Sequence, residues 1–394
     1  MLPLENIKIL DLSRLAAGNM VSHMFADFGA DVVKVEKPGK GDDLRNWKIN
    51  GISHWWAVYS RNKRSISIDL KKNEGLDLLK ELVKKADVFI ENFLPGTLEK
   101  WGIGPQQLNN LNKNLIILRI SGWGQTGIFK NAPGFGSLVE GMSGFAAMTG
   151  EEKQAPLLPP LALADMVAGL TGFGAILMAI LASKKNNTGG QVIDLSLFEP
   201  FFSILGPWAA SYKISGKIPA RIGNRSNVAA PRGIYKTKDN KYVSLSASMQ
   251  SMWEKLAQTI GSSELIKDTR FLTNSDRLNN QDDLDKPISI FIKKYNREEV
   301  LNIFSKEGIT VGPVLDISEI IEHPYIHDRE VLIEHFNKEY GNILMHQAFP
   351  RLSKTPGKIR NSAPSLGDDT DFVLKEIGIS EKQIQMLRKN KIIS

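Results

Sequence analysis

The chain has 394 residues, 42% apolar and 24% charged, with 50 Lys and Arg against 43 Asp and Glu, a net charge of +7, and no cysteine. That composition excludes wholesale disorder, collagen and low-complexity repeats, and the length accommodates two or three domains at roughly 150 residues each. It also excludes disulfides, thiolate metal sites and a cysteine nucleophile; the mild basic excess fits a polyanionic ligand and serves equally as a solubility trait.

The start, Met1-Leu2-Pro3-Leu4-Glu5, has no cationic segment followed by a long apolar run, so a cytoplasmic protein is expected. Ile7–Leu12 reads as a strand, and residues 16–28 read as a helix that Gly29 ends. Asp31–Glu36 is the next strand, stopped by Pro38 and Gly39. Ser65–Leu70 alternates as a strand with one polar face, and Glu74–Lys85 carries the apolar stripe of an amphipathic helix. Asp87–Ile90, Leu115–Ile120 and Gln191–Leu195 are further strands. Strands separated by helices require right-handed crossovers, so the fold class is α/β, with a Rossmann-like large domain and a mostly parallel sheet.

Ala162–Ala182 is apolar and reaches roughly the length needed to span a bilayer, but Gly169, Gly172 and Gly174 suit a helix packed inside protein, and no membrane partner is expected. Gly206-Pro207, Gly216, Pro219, Gly223 and Pro231 then mark a loop-rich passage. A hairpin around Asp239-Asn240 and helices over Met252–Ile260 and Arg297–Lys306 indicate a smaller α+β domain. The expected division is a large domain over 1–205 completed by 330–394, a small domain over 225–329, and linkers near 205–225 and 323–335. Thr370–Ile377 and Glu381–Asn390 close the chain as helices.

The turn after the first strand, Ser13-Arg14-Leu15-Ala16-Ala17-Gly18-Asn19, lacks the G-x-G-x-x-G pattern that brings backbone to a pyrophosphate. No P-loop is present, and no histidine pair has convincing zinc spacing, so no metal is expected. Asp165 is the informative acid, because it stands at the start of an apolar helix where the dipole favours a carboxylate. Two roles follow from the same physics: a plain helix cap, or a carboxylate nucleophile in a dry cleft. The glycine-rich segments Ser121–Gly127, Gly134-Phe135-Gly136 and Gly141–Gly144 either present amides to an oxyanion or are simple loop turns.

Taken together, these residues resemble the family III CoA-transferases, a group related to the α-methylacyl-CoA racemases. The matching segments include Ile9–Ser13, Phe28–Glu36, Asn62–Lys71, Ala86–Phe93, Pro95-Gly96, Gly122–Gly127, Asp165 with Gly169, Gly189-Gly190-Gln191, Gly312-Pro313-Val314 and Leu366–Thr370. The resemblance implies an enzyme that moves CoA from an acyl-CoA to a carboxylic acid, with Asp165 as nucleophile. The intermediates it implies are an aspartyl mixed anhydride and an aspartyl-CoA thioester. CoA and acyl-CoA are then substrates, with no tightly bound cofactor and no nucleic-acid partner. It further implies CoA contacts at Ala16, Ala17, Lys37, Ile68, Lys71, Asn92, Phe93, Leu94, Lys100, Ser121, Gly122, Trp123 and Gly124, and an interlocked homodimer. Taken singly, Lys37, Lys71 and Lys100 also read as surface lysines. The glutamate of the formyl-CoA branch falls at Gly124, and its glutamine at Ala16. The histidine of the racemases falls at Phe135, which cannot carry a proton. Racemisation and non-catalytic CoA binding are the alternatives to transfer.

Overall fold

Six parallel strands, β1 (Lys8–Asp11), β2 (Asp31–Glu36), β3 (Lys63–Ser67), β4 (Val88–Glu91), β5 (Ile116–Ser121) and β6 (Val192–Ser196), form one sheet in the order β3-β2-β1-β4-β5-β6. The computed structural model describes residues 1–394. β2, β4 and β5 are buried nearly throughout, as expected for parallel strands covered on both faces, and this explains their runs of Val, Ile, Leu and Phe. Successive strands step outward from β1 in both directions: Ile9 pairs with Val32 of β2 on one side and with Val88 of β4 on the other. Where the strand order reverses, the connections diverge and a crevice opens beyond the carboxyl ends of the strands. Ser13 follows β1 and Asn92 follows β4 at that crevice.

β3 ends before the expected Leu70. Ile68 keeps one bond to β2, its amide donating to the Glu36 carbonyl at 2.9 Å, while Ile68 is bridged to Ile393 and the Asp69 amide donates to the Ile392 carbonyl. The alternating pattern was real, but its last residues pair with a segment more than 300 positions away.

The helix Leu15–Asp27 lies against the helix Leu163–Asn186, and glycine sets their separation. A Cβ at Gly169 would stand 2.6 Å from Met20 Cβ, so only hydrogen fits there. The long helix buries one face, through Ala164, Ala168, Gly169, Gly172, Ile176 and Ala179. Its opposite side is open in the single chain, with Leu170 45%, Met178 67% and Leu181 52% exposed. The expectation of a helix packed inside protein therefore holds for one face only.

The chain divides into two compact units: residues 1–144, 159–206 and 325–394, and residues 145–158 with 207–324. The second contains an antiparallel sheet of β7 (Arg232–Lys236), β8 (Tyr242–Ser246) and β9 (Val311–Pro313). It has its own core of Trp253, Phe271, Leu284, Ile288 and Phe304. In the first unit a late hairpin, β10 (Leu332–Asn337) and β11 (Gly341–His346), is tied back by Arg61. That guanidinium donates to both Asp27 carboxylate oxygens at 3.1 and 2.6 Å and to the His346 carbonyl at 2.6 Å.

Candidate active site

Two adjoining clefts open at the switch point of the sheet. The first, about 440 Å³, is lined by Lys37, Ile68, Lys71, Phe93 and Leu94, together with Arg14 and Trp101. The second, about 310 Å³, is lined by Ala17, Asn92, Ser121, Gly122, Trp123 and Asp165, with Lys130 and Phe135. Arg14, Phe93 and Leu94 line both, so the two form one path from exposed lysines to a carboxylate. The Asn92 side chain fixes the wall between them, accepting from the Arg14 amide at 2.8 Å and donating to the Arg14 carbonyl at 2.7 Å.

Asp165 is the third residue of the helix Leu163–Asn186. Its carboxyl rests against Gly136, where a Cβ would stand 2.4 Å from Oδ2. Any side chain at Gly136 would displace that oxygen. Burial pushes the Asp165 carboxyl up to about 6, and Glu140 adds to the rise, while the backbone amides of Asp165 and Ala17 pull the other way. No cation is among these influences. Such a carboxylate carries its charge at a cost that burial and a neighbouring acid impose.

Three of the expected contacts lie elsewhere. Ala16 is 3% exposed, and it is its neighbours Leu15 and Ala17 that line the second cleft. Lys100 is exposed at the end of the short helix Thr97–Lys100, of which Thr97 lines the first cleft. Gly124 turns toward β6: its amide donates to Ser121 Oγ at 3.0 Å, and the next amide, Gln125, donates to both Asp194 oxygens at 3.0 Å. The glutamate missing at Gly124 has no counterpart there, but a carboxylate does stand beside Asp165. It belongs to Glu140, 3% exposed, whose Oε1 accepts the Ala164 amide at 3.0 Å. The only sequence signal for Glu140 was a lone acid in an otherwise apolar and glycine-rich stretch.

The sequence pattern of CoA-transferase family III matches residues 4–370. This chain belongs to that family. The succinyl-CoA–D-citramalate CoA-transferase of Chloroflexus aurantiacus is 35% identical over 99% of this chain and 98% of its own length. The human succinyl-CoA:glutarate CoA-transferase is 32% identical over 95% of this chain and 86% of its own. A crystal structure of a CaiB/BaiF family protein from Brucella suis superposes with a TM-score of 0.84 at 32% identity, covering 95% of this chain and 99% of that one. The chain is thus an enzyme of the family III CoA-transferase type, with CoA thioesters as substrates.

The raised Asp165 value has a consequence for stability. The native carboxyl binds its proton more tightly than the unfolded one, so stability falls as pH rises from about 4 through about 6 and stays lowered above. The full penalty is on the order of 2–3 kcal/mol. Asp165→Asn is therefore expected to be more stable than the native enzyme at pH 7.5 and equal to it at pH 4. Denaturant titration at both pH values reads this, and a variant less stable at pH 7.5 contradicts it.

Proposed function

We propose that this CoA-transferase carries CoA from a dicarboxylic acyl-CoA of the succinyl type to a second carboxylic acid, with Asp165 as covalent carrier. The observation that carries the mechanism is the Asp165 carboxyl, open to the second cleft without a cationic partner and beside the Ala17 amide. An Asp165 oxygen attacks the thioester carbonyl; the carbon–sulfur bond breaks and its electron pair leaves on the CoA sulfur, giving a mixed anhydride. The thiolate then attacks the Asp165 carbonyl and expels the donor's carboxylate, leaving an aspartyl-CoA thioester. The acceptor carboxylate repeats both steps in reverse order and leaves as the new acyl-CoA. Each step exchanges one activated carbonyl for another, so the thioester's transfer energy is conserved and one hard step becomes several easier ones.

The names of the relatives support the donor and acceptor classes, since these proteins are described as acting on succinyl-CoA with citramalate, malate or glutarate. Arg14 and Lys130 in the Asp165 cleft supply cations for a distal carboxylate. Racemisation needs a second proton carrier at the turn after Pro133; Phe135 lines the cleft there and has none.

CoA fits the path between the clefts with its phosphates toward Lys37 and Lys71 and its thioester at Asp165. Exposed lysine–phosphate pairs are worth on the order of 1 kcal/mol each and are screened by salt. Lys37→Ala and Lys71→Ala are each expected to weaken CoA severalfold at low salt, with little change in the chemical step. Calorimetric affinities unaltered in both variants would remove the phosphate end from this cleft.

A second copy of the chain is proposed to cover the open apolar side of the helix Leu163–Asn186, forming a homodimer. Sedimentation of the native enzyme at micromolar concentration is expected to give twice the chain mass, and a monomer would exclude this arrangement.

The carrier role predicts that donor acyl-CoA without acceptor labels Asp165. Hydroxylamine then converts that side chain to a hydroxamate, read by mass on the peptide containing Leu161–Met166. The free carboxylate must be ionised to attack, so kcat/KM is expected to fall as pH drops through about 6. Label on Asp11, Asp194 or Glu199, or turnover with no label at all, would transfer the role elsewhere.

A further inference from the structure

The short helix Gly136–Met142 places Gly136 and Glu140 one turn apart, and both meet the start of the Asp165 helix. Gly136 leaves room for Asp165 Oδ2, and Glu140 Oε1 accepts the amide of Ala164, the residue just before the nucleophile. First-turn amides have no partner within their own helix, and an acid in that turn is ordinarily drawn onto one of them. Here a buried carboxylate from another helix takes the Ala164 amide. Resting on the reading of Asp165 as carrier, we propose that Glu140 is its positioning residue: it fixes the helix start through Ala164 and sets beside Asp165 a negative charge whose repulsion is relieved when Asp165 is acylated.

The step that relieves it is the first attack. Asp165 enters as an anion; its oxygen bonds to the acyl carbon, the carbon–sulfur bond breaks, and the charge departs on CoA sulfur. The adduct beside Glu140 is neutral at Asp165, so Glu140 disfavours the free carboxylate relative to the acylated one. It also makes the free carboxylate more basic and hence a better nucleophile.

The other charges around Asp165 do not duplicate this role. Arg14, Asp43 and Lys130 line its cleft. His23 and Asp27 lie further along the packed helix Leu15–Asp27. Arg119 of β5 is engaged by Glu91 and Glu99, at 2.7 and 2.8 Å. Asp194 of β6 accepts the Gln125 amide, and Glu199 accepts from Ser196 Oγ at 2.7 Å. Glu140 is the acid bonded directly to the start of the Asp165 helix, through the Ala164 amide at 3.0 Å, and its charge raises the Asp165 carboxyl.

The test uses full-length enzyme, succinyl-CoA as donor, and two variants. Glu140→Gln keeps an oxygen for the Ala164 amide and removes the charge; Glu140→Ala removes both. In the native enzyme, donor alone is expected to label Asp165. In Glu140→Gln the acid limb of kcat/KM is expected to move to lower pH, and the equilibrium fraction of labelled Asp165 to fall roughly threefold to tenfold, with melting temperature and KM for donor nearly unchanged. Glu140→Ala is expected to lose more turnover and some stability. If Asp165 labels normally in the native enzyme while Glu140→Gln keeps both the native acid limb and the native adduct fraction, Glu140 is only a cap and the proposal falls. If the native enzyme turns over without labelling Asp165, the carrier reading falls, and the positioning role falls with it.

Discussion

Three charges buried at the carboxyl end of β1 hold the turn on which the whole site depends. Lys34 Nζ lies 3.3 Å from Asp11 Oδ1 and 3.0 Å from Asp42 Oδ2. Burial alone would drive Lys34 down and Asp42 up; instead Lys34 is raised by Asp11 and Asp42, and Asp42 is lowered by Lys34 and by the Leu44 and Leu15 amides. The desolvation of these ions is offset because nearly every lone pair finds a donor. Asp11 Oδ1 accepts from the Ser13 amide at 2.8 Å and from its hydroxyl at 2.6 Å. Asp42 accepts from the Leu15 amide at 2.9 Å and from Asn19 Nδ2 at 2.7 Å. Leu15, at a φ of 61°, begins the first helix in a left-handed conformation that a branched side chain adopts only under constraint. Asp42 supplies that constraint, and two residues later the Ala17 amide arrives beside Asp165.

The same physics gives opposite results at the two carboxylates. Asp42 is surrounded by donors and a cation and sits low; Asp165 is buried with two amides and a like charge and sits high. The structural charge is compensated, whereas the proposed carrier is under-compensated, so the two environments push the two carboxylates apart. Even within the supporting network the balance is uneven. Lys63 donates to the Asn19 carbonyl and side chain at 3.1 and 3.0 Å. Yet burial pushes it down to about 7 despite Asp11, with Lys34 adding to the fall.

What could be read from the sequence was what local patterning encodes. β2 lies over the expected Asp31–Glu36, and the helix Arg297–Lys306 over its expected span, because alternation and an apolar stripe are local properties. Gly29, at a φ of 107°, follows the first helix as its composition implied. The end of β3 was not legible, since its partner is the chain terminus. The β10–β11 hairpin was not legible because polar residues, Glu334 and His335 in β10 and Asn342 in β11, interrupt the apolar ones and both strands are half-exposed. Ala16 and Lys100 were carried over by alignment of a motif, but side-chain direction within a motif depends on the turn: one points into the core and the other to solvent. Glu140 stood out only as a lone acid, and its role was hidden for a related reason. Its partner is 24 positions away and is a backbone amide, which leaves no trace in residue identity.

On the proposed route, the burial that handicaps Asp165 also protects its intermediates. An anhydride or aspartyl thioester open to bulk water would be hydrolysed, and the thioester's energy would be lost rather than passed to the acceptor. Excluding water from the cleft removes that competitor, but it also removes the hydration that would stabilise a free carboxylate, so the rise of Asp165 toward about 6 is inseparable from fidelity of transfer. Stabilising Asp165 with a cation would lower its energy and blunt its attack in the same stroke. The amides of Asp165 and Ala17 are a compromise between these demands. As fixed dipoles they favour the charged form enough to keep it ionised at neutral pH, and they remain in place when that charge moves to the developing oxyanion of the attacked carbonyl.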